Sequence, residues 1–273
     1  DFKTAIEYGP ENWRVHHNYA ISLAMKGEYQ RGIEEFTQAI ELQPEYANAY
    51  FNRAELFFEL GQYDKAQSDY EHAVSIDADD PQYHNSLAHC QFMQEDYDKA
   101  IEMYQRAAEL ANDNPIYLTD LADAYQYRGR WQQAASTYQK AVAASNTYAL
   151  AYQNAAWLMA TCPDPEFRNK ELALSAAKRA IALEGDDSPK ALDTLAVATA
   201  NFGDFKQAAE ITRNAIEFSD DDSEIDELMK RLNLYSQRRP YRQAVASTTR
   251  TKQQSNLDQY RIRTASGDVP NPR

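Results

Sequence analysis

The sequence predicts an all-α solenoid of antiparallel helix pairs, and three observations lead there. From Trp13 onward the chain repeats with a period of 34 residues, and periods of that size mark stacked repeat units. Within the repeat, small residues recur in register: Ala20, Ala54, Ala88, Ala122, Ala156 and Ala196 at position 8, and Gly32, Ala66, Ala100, Ala134, Ala173 and Ala208 at position 20. Position 27 gives Ala39, Ala73, Ala107, Ala141, Ala180 and Ala215. An aromatic column at position 17 (Tyr29, Tyr63, Tyr97, Trp131, Phe205) follows a glycine column at position 15 (Gly27, Gly61, Gly129, Gly203), which Glu95 and Pro163 interrupt. Small columns let two helix axes approach, large residues fill the remaining space, and Gly at 15 suits a left-handed helix end. With only 8 Gly and 10 Pro in 273 residues, the composition does not fit a turn-rich all-β chain.

Taken in order, residues 1–12 read as the closing positions of a preceding unit, with Phe2, Ala5, Tyr8 and Pro10 in their columns. The chain is thus expected to open inside a repeat. Six units follow at 13–46, 47–80, 81–114, 115–148, 149–188 and 189–222. Pro44, Pro81, Pro115 and Pro189 fall at or near their junctions, where a helix must stop or start. Unit five is longer, and its prolines Pro163 and Pro165 place a loop between its two helices. Residues 223–236 carry one apolar helical face (Ile225, Leu228, Met229, Leu232, Tyr235), as a capping helix over the last exposed hydrophobic surface requires. Residues 237–273 form a basic tail, mostly irregular by composition.

These columns resemble the tetratricopeptide repeat, and the resemblance covers residues 1–236. The run Trp157–Asp164 with Leu192–Ala196 is similar to the closing repeats of a bacterial subset of that family. The resemblance implies a right-handed superhelix, no catalysis, and a concave groove lined by positions 2, 5, 6, 9, 12 and 13 of each first helix. On that face stand Asn18, Phe51, Asn52, Glu55, Phe58, Glu59, Asn85, His89, Phe92, Asp120, Asp123, Tyr127, Asn154, Trp157 and Asp193. Asn18, Asn52 and Asn154 share position 6, where the family uses asparagine on a peptide backbone; an amide donates and accepts at once. The mixture of aromatics and acids favours a protein or peptide partner with apolar anchors and Lys or Arg between them. It does not match the basic clamp that holds acidic tails, because only Arg14 and Lys190 are basic on these faces.

The net charge of −14 divides unequally, since residues 237–273 hold eight basic and two acidic residues and leave 20 and 40 in 1–236. An acidic solenoid is a poor nucleic-acid binder. No run of 18 apolar residues is present, which rules out a membrane-spanning helix. The tail carries Tyr241, Leu257, Tyr260 and Ile262 among cations, the ligand type inferred for the groove. It is therefore expected to dock on an acidic, aromatic surface of its own chain, a second copy or a larger assembly.

No metal, cofactor or catalytic set is expected. His16 and His84 occupy the packing column at position 4, and adjacent His89 and Cys90 point about 100° apart on a helix. Cys90 and Cys162 lie two units apart and do not suggest a disulfide framework. The sequence thus points to a non-enzymatic interaction scaffold. Two alternatives stay open: the recruiting arm of an enzyme encoded upstream of Asp1, or a structural subunit of a larger assembly. It carries no indication of compartment.

Overall fold

A computed structural model describes residues 11–111 and 113–244. Residues 1–10 of the preceding repeat fragment, and Leu257, Tyr260 and Ile262 of the tail, lie outside the described residues. The described residues form thirteen α-helices and one 3₁₀ turn, with no strand among them. They divide into two compact units, ending and starting at Asn112 and Asp113.

The first unit contains α1 (Trp13–Ala24), α2 (Tyr29–Leu42), α3 (Ala47–Glu59), α4 (Tyr63–Ile76), α5 (Pro81–Met93) and α6 (Tyr97–Leu110). The second contains α7 (Pro115–Tyr127), α8 (Trp131–Ala144), α9 (Ala149–Thr161), the 3₁₀ turn Pro165–Phe167, α10 (Lys170–Glu184), α11 (Pro189–Phe202), α12 (Phe205–Phe218) and α13 (Asp222–Ser236). Neighbours in sequence pack as pairs, α1 on α2, α3 on α4 and onward to α11 on α12, and α13 closes the last pair by packing on α12. This is an all-α solenoid of antiparallel helix pairs.

The chemistry of the columns explains the pairing. Ala20, Ala54, Ala88, Ala122, Ala156 and Ala196 are completely buried, as are Ala66, Ala100, Ala134, Ala173 and Ala208 opposite them. At Gly32 the approach is closer still: a Cβ there would stand 2.8 Å from Cδ1 of Leu56, so the first repeat uses glycine where the others use alanine. Tyr70, Tyr104 and Tyr138, one per repeat at the same register, fill the wider gaps. Starts are capped by side-chain oxygens: Asn12, Asp80, Asn114, Ser188 and Asp221 each accept a backbone N–H of the first turn.

Five first helices end alike. The N–H at position 15 donates to the carbonyl at position 12, and the next N–H reaches back to position 11, as in Gly27 to Ala24 and Glu28 to Leu23. The residue at 15 is left-handed each time, including Glu95 at φ 67°. The exception is α9, where Pro163 stands in that column and has no N–H to give.

Candidate functional site

In both units the residues singled out by position stand on the first helices, and their local bonding decides what they offer. In the first unit the Tyr70 hydroxyl donates to Glu55 Oε1 at 2.5 Å, and Ser86 of the next repeat also bonds that carboxylate. Burial raises the Glu55 pKa, opposed by those two hydrogen bonds. In the second unit the same register recurs: the Tyr138 hydroxyl donates to Asp123 Oδ1 at 2.5 Å, and Asn154 Nδ2 of the next repeat donates to it at 2.8 Å. Burial pushes Asp123 up to about 7. A position-9 acid, a position-24 tyrosine and a position-6 polar residue thus tie one repeat to the next.

That bonding changes the reading of several residues. The amide of Asn154 is spent on Asp123, and Asn52 Nδ2 donates to His17 Nε2 at 3.1 Å, so neither faces outward with both of its functions free. Burial keeps His17 below its usual pKa, consistent with a neutral, accepting ring. Phe51, Phe58 and Phe92, expected as ligand anchors, are only 7%, 8% and 0% exposed. Phe51 packs on Tyr83 and Tyr70, Phe58 on Tyr63 and His89, and Phe92 on Tyr97. They are core, because helix pairs packed around small columns leave positions 5 and 12 wedged between neighbours rather than open to solvent. Asp120 and Asp193 are buried as well, which leaves Glu59 as the exposed acid of the five predicted. Asn18 is exposed, while Asn85, His89, Tyr127 and Trp157 are half-buried.

One group that residue patterns did not single out organises the second unit. Arg231 of α13 donates from Nε to Asp193 Oδ1 at 2.8 Å, both side chains being largely buried. Burial pushes Asp193 up to about 6 against the attraction of the guanidinium. The Arg231 guanidinium carbon also lies 5.6 Å from the Trp157 ring and 5.4 Å from the Tyr241 ring.

Tyr241 belongs to the tail, and its first residues lie on this face. Arg238, left-handed at φ 54°, turns the chain back after α13, and Arg239 N donates to Leu234 O. Tyr241 then packs 5.7 Å from Trp157. Arg242 donates to Ala160 O at 3.1 Å and to Asn201 Oδ1 at 2.8 Å. Gln243 N donates to Thr161 O at 2.9 Å, and Gln126 Nε2 donates to Gln243 Oε1 at 3.2 Å. Residues from α7, α9, α11 and α13 meet one short segment. The signal that could have found this place is Pro163: without the glycine-type ending, the last carbonyls of α9 needed other donors. Met159 O takes Asn169 N, while Ala160 O and Thr161 O take the tail.

The candidate nucleophile is quiet. Cys90 is buried, its thiol donates to Tyr63 O, and burial pushes its pKa up to about 12. His84 is a core histidine bonded to Ala78 O. Among the described residues no group of three His, Cys, Asp or Glu is placed to hold a metal ion, and no helix is long and apolar enough to cross a membrane.

Two family models described as tetratricopeptide repeat match residues 23–90 and 81–147. No curated protein matches the chain in sequence. Among solved structures, the fold is similar to one in the APC/C hetero-tetramer Cut9–Hcn1, at TM-score 0.67 and 16% identity over 85% of this chain and 45% of that one. The chain therefore spans less than half of that relative. It is also similar to PilF of Pseudomonas aeruginosa (TM-score 0.66, 15% identity, 80% of this chain and 96% of that one). A third likeness is to YrrB, described as a TPR protein with an unusual peptide-binding site (TM-score 0.55, 24% identity, 70% and 95%). These likenesses concern the fold, and with the family matches and the helix pairing they lead to one conclusion: residues 23–147 are tetratricopeptide repeats, and the other described helices continue the same paired fold.

Proposed function

We propose that the chain is a non-enzymatic interaction scaffold that holds a peptide segment of a partner protein on its first-helix faces, the partner being basic with aromatic or apolar anchors. The observation that carries this is the segment Tyr241–Gln243, whose ring, guanidinium and backbone N–H are each met on the face of the second unit. A surface that satisfies one such segment has the chemistry to satisfy another. The peptide-binding site named for YrrB lends the reading support at the level of fold. In the first unit Glu59, exposed, and Asn18, exposed, are the groups offered to cations and to peptide backbone.

The test is a panel of synthetic basic peptides with aromatic residues between the cations, titrated against the full chain by fluorescence anisotropy. Peptides that bind should lose about tenfold in affinity when Trp157 is changed to Ala, the effect of removing one anchor of a distributed surface. The melting temperature serves as the control for folding. Absence of binding by every peptide, or binding indifferent to Trp157→Ala and to Glu59→Lys, would move the function off these faces.

A further inference from the structure

We infer that the end of α9, with Trp157 and Arg231, is a binding site for a short aromatic–arginine peptide motif, and that Tyr241-Arg242-Gln243 occupies it as a ligand in cis which a partner must displace. This rests on the scaffold reading above and names the motif and the regulation of that site.

The last carbonyls of any α-helix lack partners within the helix. Five of the six first helices satisfy two of them with the N–H of the left-handed residue at position 15 and the N–H that follows it. Pro163 removes one of those donors from α9, and the chain then leaves through the 3₁₀ turn Pro165–Phe167. Arg168 caps Cys162 O and Pro163 O, and Asn169 N caps Met159 O. Among the described residues, Ala160 O and Thr161 O are met from more than 80 positions away, by Arg242 and Gln243 N. A helix C-terminus favours a cation, so arginine there is matched by charge as well as by hydrogen bonding.

The side-chain contacts then give the motif its chemistry. The ring of Tyr241 meets the Trp157 ring on one hand and the Arg231 guanidinium on the other, an arrangement that takes tyrosine, phenylalanine or tryptophan. Asn201 Oδ1 accepts from Arg242, and a bidentate fork fits Ala160 O and Asn201 together better than a lysine would. Gln126 and the oxygen of Gln243 complete an amide-for-amide contact. The ligand is therefore aromatic, then arginine, then a residue with a free N–H. Tethering gives the cis copy an effective concentration in the millimolar range, so a free peptide must compete with it.

The experiment uses the full chain and a fluorescein-labelled peptide of residues 237–244, read by anisotropy. Tyr241→Ser with Arg242→Ala empties the site, and this double variant should bind the peptide at least about tenfold more tightly than the wild-type chain. Adding Trp157→Ala should remove that binding, and a peptide with Ser in place of its Tyr should not bind. If the double variant loses helicity, Gln243→Pro, which removes one donated N–H, carries the same comparison. Equal binding of the peptide by wild type and emptied chains, or no binding by the emptied chain, overturns the inference and makes the segment a structural closure. Panel peptides that bind wild type and emptied chain alike would overturn the inference and leave the scaffold reading standing. Failure of every peptide on every variant would bring down both.

Discussion

The two units solve the same packing problem with the same parts and differ in what their first-helix faces leave for others. Both set a position-9 carboxylate under a position-24 tyrosine, Glu55 with Tyr70 and Asp123 with Tyr138. Both brace that carboxylate from position 6 of the next repeat, by Ser86 and by Asn154. In the first unit every first helix closes on its own left-handed turn, so its ends demand nothing further. In the second, α9 lacks that turn, and the tail residues Arg242 and Gln243 donate to its last carbonyls. A repeat that departs from its pattern in the loop between its helices thus takes hydrogen bonds from a distant segment.

The comparison is broken most forcefully at Phe92. If this ring is core, as its complete burial against Tyr97 implies, Phe92→Ala should cost about 3–5 kcal/mol in urea unfolding, through lost burial and the cavity left behind. Trp157 is half-buried and topped by Tyr241, so Trp157→Ala should cost much less stability and more binding. Loss of binding with unchanged stability in Phe92→Ala would return it to the set of anchors.

The carboxylate–tyrosine pair gives the next largest effect and a sign. Asp123 sits at about 7, above the usual carboxylate value of about 4, because burial disfavours its charge. The folded state then binds more protons than the unfolded one between those values, so stability falls as pH rises from about 4 through about 7. Asp123→Asn removes that penalty while keeping an acceptor for Tyr138. The variant should gain on the order of 2 kcal/mol over wild type at pH 8 and little at pH 4, followed by thermal unfolding at both. Parallel curves for the two proteins would show that Asp123 is charged and well solvated, and the common design of the two units would lose its electrostatic half.

How much of this the sequence displayed depends on whether a residue's role repeats. The small columns, the glycine ends and the aromatic column recur every 34 residues, and the helices and their pairing follow from them. Which residues face a ligand does not repeat in that way. Phe51, Phe58 and Phe92 lie at groove positions by angle along one helix, yet a neighbouring helix covers them, and angle along a single helix carries no information about that neighbour. Asn52 and Asn154 look available for the same reason, while their partners His17 and Asp123 belong to the preceding repeat. Arg231 and Gln243 were illegible because their partners are contributed from afar. Pro163 was legible, as the missing donor of a pattern otherwise kept.

The smallest effect concerns that pattern directly. At position 15 the chain uses Gly27, Gly61, Gly129 and Gly203, each at positive φ, and Glu95 with φ 67° in the same turn. Glu95 N still donates to Phe92 O and Asp96 N to Gln91 O, so the hydrogen bonds match those of the glycine turns and only the backbone strain differs. A side chain in the left-handed region costs about 1–2 kcal/mol, and glycine gives part of that back through its freer unfolded chain. Glu95→Gly should therefore stabilise the first unit by about 0.5–1 kcal/mol, and Gly61→Glu, which meets no steric obstacle beyond the backbone, should destabilise it by a similar amount. Both are read as shifts in urea midpoint at constant slope. A destabilised Glu95→Gly would mean that the glutamate side chain contributes something the turn geometry does not show, and position 15 would cease to be a purely conformational column. The second unit offers no matching exchange at Pro163, because there the missing N–H, rather than strain, is what drew the tail to α9.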